Sequence, residues 1–219
     1  PLLSLESAPR RSLIPPAYNE ARTIEENVKS LLSINYNNFN VIVVNDGSKD
    51  NSMEVLSKAF DLQLSGQEYT AEIPSKNVRG IYHSSNAAYS RLIVVDKENG
   101  GKADALNTGL NISNNPYVVC IDVDCIMDKD VLLKLAKPYL EESDEKIIAT
   151  GGVVRIANSC VIKSGKLIEV KAPDNLLARS QVIEYLRAFI LGRMAWNKLD
   201  GLLIISGAFG MFDRNIALE

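Results

Sequence analysis

Histidine is nearly absent from this sequence, and that scarcity removes several chemistries at once. His83 is the single histidine in 219 residues, so no second imidazole can join it in a zinc site and a Ser-His-Asp relay would rest on it alone. We expect it to be structural. Cysteine is sparse too: Cys120, Cys125 and Cys160 form no C-x-x-C pair and suit a reducing cytosol better than a disulfide scaffold. No block of Lys and Arg interleaved with aromatics occurs and the net charge is -3, which argues against nucleic acid as the main partner. Long hydrophobic runs are also missing. The stretch from Gly201 to Phe212 is about a dozen residues, short of the roughly twenty that a bilayer-spanning helix needs.

What is present is 46% apolar content, enough for the core of one large domain. The chain starts at Pro1 and stops after Leu218-Glu219. We expect a piece of a longer protein, with residues 1–11 as a lead-in, the terminal Leu-Glu as a vector remnant, and room for membrane segments outside residues 1–219.

Turn signals divide the chain. Ser12-Leu13-Ile14 leads into Pro15-Pro16-Ala17-Tyr18-Asn19-Glu20, a strand that proline ends. A helix through Ile24, Val28, Leu31 and Leu32 follows, with Glu25, Glu26 and Lys29 on its polar face. Asn35 to Asn38 reads as a turn and Val41 to Val44 as a fully buried strand, which makes a βαβ unit and a parallel sheet. That strand ends in Asn45-Asp46-Gly47-Ser48-Lys49-Asp50-Asn51-Ser52, with Asn51 or Ser52 as the N-cap of a helix through Val55, Leu56 and Phe60. An Asx turn needs the same residues; alternatively, Asp46 at a strand's carboxyl end can accept a hydrogen bond from a ligand N–H. Between residues 61 and 89 the pattern loosens, leaving at most one short strand near Arg79 to His83.

Leu92 to Asp96 is a clearer strand. Beyond it Gly100, Gly101 and Lys102 precede a helix carrying Ala103, Leu106 and Leu110. This is either a solvated turn or a place where backbone N–H groups and Lys102 meet an anion, without the spacing of a P-loop. Tyr117 to Cys125 is an apolar run that ends in Asp122 and Asp124. On a strand these two share a face, giving a divalent cation and its phosphate two hard oxygen ligands. Open α/β sheets bind ligands at such carboxyl ends. Acidic residues also follow buried strands merely to solvate the chain. A helix through Val131, Leu132, Leu135, Tyr139 and Leu140 comes next, and Ile147 to Ile156 reads as a strand broken at its glycines. Leu176 to Trp196 is a helix with an apolar face through Leu177, Val182, Ile183, Leu186, Phe189 and Ile190, joined by Arg179, Arg187 and Arg193. It either packs on its own domain or lies at a membrane interface.

Five stretches in order carry a resemblance: PAYNE at 16–20, VVNDGSKDNS at 43–52, NGGKADALN at 99–107, DVD at 122–124 and SGAFGMF at 206–212. Together they resemble the family 2 glycosyltransferases over residues 12–217, with the closest likeness to the membrane-bound processive β-glycan synthases that make poly-N-acetylglucosamine, hyaluronan, cellulose or chitin. The resemblance implies an α/β GT-A fold, a Rossmann-like, mostly parallel sheet flanked by helices and truncated at the C-terminal side. Residues 12–125 would be its nucleotide-sugar-binding half and residues 126–217 an incomplete acceptor side. It also implies inverting transfer from a UDP-sugar, UDP-N-acetylglucosamine above all, to a polysaccharide or other glycan acceptor, with Mg2+ or Mn2+ on the diphosphate. Pro16, Ala17, Tyr18 and Glu20 would line the uridine, Asp46 would hydrogen-bond the uracil, and Gly101 and Lys102 would lie beside the nucleotide. Asp122 would contact ribose or metal and Asp124 the metal, while Gly207, Ala208 and Phe209 would shape the acceptor side.

The family's general base, the Asp of a Thr-Glu-Asp motif, and its Gln-x-x-Arg-Trp motif are expected beyond Glu219; Trp196, preceded by Ala195, is not that motif. Pro15 also departs from the family's usual aliphatic residue, which shortens the first strand. Placement at the cytoplasmic face of a membrane follows from the same resemblance. The other readings are a non-processive transferase of lipid or protein glycans and a non-catalytic nucleotide-sugar-binding module. An NAD enzyme is disfavoured, because no G-x-G-x-x-G follows the first strand.

Overall fold

The computed structural model describes residues 9–67, 69–140, 146–157, 159–163, 166–199 and 205–219. The start of the lead-in, residues 1–8, and residues 201–204 of the C-terminal apolar run lie outside that set.

Two β-α units open the chain: β1 (Arg11–Ile14), β2 (Pro16–Ala17) and α1 (Ile24–Leu32), then β3 (Phe39–Asp46) and α2 (Ser52–Phe60). Pro15 separates β1 from β2, as its missing N–H predicts. Both strands still pair in parallel with β3, through Leu13 opposite Val41 and Ala17 opposite Asn45. A short edge follows in β4 (Leu62–Leu64) and β5 (Val78–Ser84), then β6 (Leu92–Lys97), α3 (Lys102–Ile112), β7 (Tyr117–Ile121) and α4 (Val131–Leu140). The remainder holds β8 (Ala149–Gly151), a hairpin of β9 (Val161–Lys163) and β10 (Lys166–Glu169), α5 (Leu176–Leu186), a π-helical turn at Arg187–Gly192, α6 (Arg193–Lys198), β11 (Phe209–Asp213) and α7 (Arg214–Ala217).

The nine-stranded sheet runs β4-β5-β6-β3-β1-β7-β11-β8, with β2 beside β3. Its centre, β6-β3-β1-β7, is parallel and both margins are antiparallel. Successive residues of the central strands face opposite sides, and both sides are covered. Leu13, Val41, Val43, Val119 and Ile121 pack with Ile24, Val28 and Leu31 of α1, Leu56 and Phe60 of α2 and Leu132 and Leu135 of α4. Ile14, Ile42, Val44 and Val118 pack with Ala105, Leu110 and Ile112 of α3. Continuous apolar runs are what a sheet buried on both faces requires, and each such side chain contributes about 1.5–3 kcal/mol. Gly109 lets α3 approach: a Cβ there would come within 2.2 Å of Ile14 Cγ2.

The expected strand from Ile147 to Ile156 is cut down to β8, because the sheet ends at Gly151 and the chain then leaves it. The helix expected from Leu176 to Trp196 forms, with the π-helical turn inside it, yet none of α5 is buried and Leu176, Leu177, Ile183, Leu191, Met194 and Trp196 are all exposed. Most of its apolar surface therefore faces away from the sheet.

Candidate active site

All the parallel central strands deliver their carboxyl ends to one side of the sheet. β3 ends there with Asp46 and β6 with Lys97, opposite each other in the parallel ladder. Lys97 is fully buried and Asp46 is 3% exposed. Lys97 Nζ bonds Asp46 Oδ1 at 2.7 Å, Asp104 Oδ1 at 2.6 Å and the Glu98 carbonyl at 2.6 Å, so the three protons of the ammonium are all used. A buried cation needs that degree of pairing. Asp104, in the first turn of α3, is pushed up by burial, but Lys97 and the Lys76 amide more than offset this and hold its carboxyl below the usual range.

Gly100 and Gly101 do present their amides to an anion, but it is the chain's own. Asp46 Oδ1 accepts from Gly100 N at 3.0 Å as well as from Lys97, and Oδ2 accepts from Gly101 N at 2.8 Å and Asn99 Nδ2 at 3.2 Å. About four donors fill a carboxylate. A ligand N–H that reaches Asp46 has to displace one of them, and the longest contact, from Asn99, is the natural one to yield. Gly101 has φ +87° and ψ 171°, a conformation open only to glycine, which turns the chain into α3. Gly47, at φ +64°, lies so close to this loop that a Cβ would sit 2.6 Å from Asn99 N.

The PAYNE segment is tied to the loop after β3 by a ladder of side chain to backbone bonds. Asn19 N donates to Ser48 Oγ at 3.0 Å, Glu20 N to Ser52 Oγ at 2.9 Å and Ala21 N to Asp50 Oδ2 at 3.1 Å, while Asn19 Oδ1 accepts from Lys49 N at 2.8 Å. Asn19 takes the left-handed conformation (φ 58°), which asparagine tolerates better than most residues. The polar residues of 45–52 thus serve both as a turn and as a clamp on Pro16 to Glu20.

The carboxylate pair sits differently from expectation. β7 stops at Ile121; Asp122 N makes a last bond to the Ala208 carbonyl (3.1 Å), and then the chain turns, with Cys125 N donating to Asp122 O at 3.0 Å. Asp122 and Asp124 therefore converge through a turn and not through strand alternation. Oxygen atoms of both and Cys125 Sγ lie within 4.8 Å of one another, with Asp124 exposed, a donor set and spacing that fit a divalent cation. Lys102 Nζ pairs with Asp122 and bonds the Gly207 carbonyl at 2.6 Å, joining α3 to the stretch before β11. All the cysteines of the chain are free. Burial pushes the Cys120 thiol up to about 11, and burial with the Asp124 and Asp122 carboxylates does the same to Cys125.

An open cleft of about 520 Å3 runs along these strand ends, lined by Pro16, Ala17, Tyr18, Glu20, Asp46, Asn99, Gly101, Lys102, Asp122, Val123 and Asp124. Of the residues expected at a donor site, those from Pro16 to Asp124 are all in this lining. Gly207 and Ala208 stand beside it through their carbonyl bonds to Lys102 and Asp122. Phe209 does not: it opens β11 opposite Ile121, and its side chain is 8% exposed in the core.

Comparison with known proteins fits this geometry. The description Glycosyl transferase family 2 matches residues 12–214. The chain belongs to glycosyl transferase family 2. It is similar to the poly-beta-1,6-N-acetyl-D-glucosamine synthase of Staphylococcus aureus (strain COL), with 28% identity over 203 residues, 92% of this chain and 39% of the relative. The synthase of the same name from Staphylococcus epidermidis shares 28% over 210 residues, with the same 39% of its length covered. The chain thus spans about two fifths of these relatives. Among solved structures it is similar to a mannosyltransferase from Pyrobaculum calidifontis in complex with GDP-Man and Mn2+, with TM-score 0.61, 21% identity and coverage of 97% of this chain and 46% of that one. A glucosyl-3-phosphoglycerate synthase from Mycobacterium tuberculosis, in complex with Mn2+, UDP and glucosyl-3-phosphoglycerate, gives TM-score 0.50, 19% identity, and 98% and 60% coverage. At these identities the likeness shows the fold, and the fold of this family 2 glycosyltransferase is GT-A.

Sequence reasoning missed several residues that build the site of this family 2 member. Lys97 stands at the head of a polar stretch, where solvent exposure is the ordinary expectation because lysine is rarely fully buried. The signal that could have found it is its place at the end of an apolar strand level with Asp46. Asn99, Ser48 and Asp50 read as turn formers and Ser52 as a turn or N-cap residue, and nothing in the local pattern sets Cys125 apart from the other cysteines.

Proposed function

We propose that this family 2 glycosyltransferase takes a UDP-sugar, UDP-N-acetylglucosamine by preference, and adds the sugar with inversion to a growing polysaccharide at the cytoplasmic face of a membrane. The observation that carries the reading is the single cleft in which Pro16 to Glu20, Asp46, Lys102 and the Asp122–Asp124 pair meet. The similarity to poly-beta-1,6-N-acetyl-D-glucosamine synthases supports the donor and the product. The exposed apolar side chains of α5 and α6 support a neighbouring membrane.

In this reading Pro16, Ala17, Tyr18 and Glu20 flank the uridine, and Asp46 receives the uracil N–H as Asn99 gives way. Asp124 and Asp122 hold Mg2+ or Mn2+, which when bound stabilises negative charge on the leaving diphosphate. Lys102, already at the site beside Asp122, adds a positive charge where the nucleoside diphosphate departs, and it needs no reorganisation to do so. The bond from Lys102 to Gly207 fixes the Gly207-Ala208 carbonyls at the rim, so the acceptor meets the donor sugar against a defined wall. Phe209 supports that wall from the core.

Titration calorimetry in Mn2+ with UDP-N-acetylglucosamine, UDP-glucose and GDP-mannose tests the donor. Tightest binding of the first is expected. Preference for the guanosine sugar would overturn the assignment of the PAYNE segment and Asp46 to uridine.

A further inference from the structure

The carboxylate pair has a neighbour of a different chemical kind. Cys125 Sγ lies within 4.8 Å of carboxylate oxygens of both Asp122 and Asp124. The backbone explains why: the hydrogen bond from Cys125 N to Asp122 O closes a tight turn, so the first and last side chains of the turn converge on either side of Asp124. Metal–oxygen bonds of about 2.1 Å and metal–sulfur bonds of about 2.3 Å place two donors of one ion at most about 4.4 Å apart, so donors within 4.8 Å of one another close on a shared ion with a side-chain adjustment of a few tenths of an ångström or more. Asp122 is partly neutralised by Lys102, whereas Asp124 has no ion pair among the described residues. The turn therefore holds an oxygen donor already shared with a cation, a free one, and a sulfur.

Resting on the reading of Asp122 and Asp124 as the divalent-ion site, we propose that Cys125 is a third ligand to that ion and makes the site select manganese and other first-row transition ions over magnesium. Magnesium demands oxygen ligands in near-ideal octahedral geometry and gives up its waters reluctantly, so a sulfur in the third position serves it poorly. Transition ions accept the softer donor, increasingly so from manganese through cobalt. Coordination forms one metal–sulfur bond and releases the thiol proton to solvent, with no electron transferred. The consequence is a glycosyltransferase whose metal choice is set by one side chain next to the acidic pair.

The test is a Co2+ titration of the whole chain in the presence of UDP, read by absorption, beside calorimetric titrations of Mn2+ and Mg2+. A thiolate-to-cobalt charge-transfer band is expected in the native chain and in the Cys120→Ser/Cys160→Ser double variant, which retains Cys125 alone. That second protein assigns the band even where a Cys125 variant fails to fold. In Cys125→Ser the band disappears and the Mn2+/Mg2+ affinity ratio falls by roughly tenfold or more, a loss of the size that even an outer partner of a metal ligand commonly costs. Cys125→Asp, which replaces sulfur by a hard donor, raises Mg2+ affinity. Co2+ and Mn2+ binding with UDP but no band, or an unchanged ratio in Cys125→Ser, overturns the role of Cys125 and leaves the acidic pair as the metal site. Absence of any UDP-linked metal binding in the native chain overturns both.

Discussion

Lys97 Nζ lies 2.7 Å from Asp46 Oδ1, and the two side chains are 0% and 4% exposed. This pair joins the ends of two central strands and, through the amides of Gly100 and Gly101, fixes the loop that opens α3. Removing the cation leaves Asp46 and Asp104 as uncompensated neighbours. Lys97→Met should therefore lower unfolding free energy by about 3–5 kcal/mol, the usual result of breaking a buried pair from one side. Urea denaturation measures it; a loss under about 1 kcal/mol would show that the pair is not what holds the loop.

Acid should reach the same cluster. The Asp104 carboxyl is raised by burial but held below its ordinary value by Lys97 and the Lys76 amide. A group whose folded pKa is depressed contributes stability above its unfolded pKa, near 3.9, and that contribution is lost as pH falls through the folded value. Urea midpoints should thus decline below about pH 4, and less steeply in Asp104→Asn than in the native chain. Asp50, raised by burial but lowered further by hydrogen bonds from Ser52 and Ala21, keeps the variant's decline from vanishing. Parallel declines in the two proteins would remove Asp104 from the account.

Gly101→Ala tests the turn itself. Its backbone at φ +87° and ψ 171° is essentially closed to alanine, so the substitution should cost on the order of 1–3 kcal/mol and weaken nucleotide binding by shifting Lys102. Thermal unfolding and UDP titration together check it, and an unaffected melting temperature would argue that the turn relaxes freely.

Lys102→Ala separates function from stability. Its side chain is 47% exposed and that of its partner Asp122 is 34% exposed, so the ion pair should contribute less than about 1 kcal/mol to folding. UDP affinity should nevertheless fall about tenfold or more, as expected for a lost charged hydrogen bond. A variant as tight as the native chain would place Lys102 outside the nucleotide site.

Much of this was legible in the sequence because the central strands are unbroken apolar runs with polar ends. Val41 to Val44, Leu92 to Asp96 and Tyr117 to Ile121 could hardly be anything but buried strands, and the residues after them could hardly be anywhere but at one rim. The edge was harder: Leu62-Gln63-Leu64 forms a strand with Leu64 exposed, because its ladder to β5 supplies what its side chains do not. Asp122 and Asp124 are legible as a pair from strand alternation, although it is the turn after β7 that brings these same residues together. That Lys97 and the glycine amides share Asp46 as their partner is not legible locally, because Asp46 comes from a strand some fifty residues earlier, as the 51-residue separation between Asp46 and Lys97 shows. Pairings of that kind are decided by the sheet order.

The account stands on Asp124 as a ligand of the divalent ion that holds the donor diphosphate. Calorimetric titration of UDP into the native chain with Mn2+ and with chelator, repeated on Asp124→Asn, tests it most directly. The native chain should bind UDP at least about tenfold more tightly with Mn2+, the size of one charged interaction, and Asp124→Asn should bind equally weakly in both. Equal affinities in the native chain with and without metal, or a metal enhancement that survives in Asp124→Asn, would contradict it.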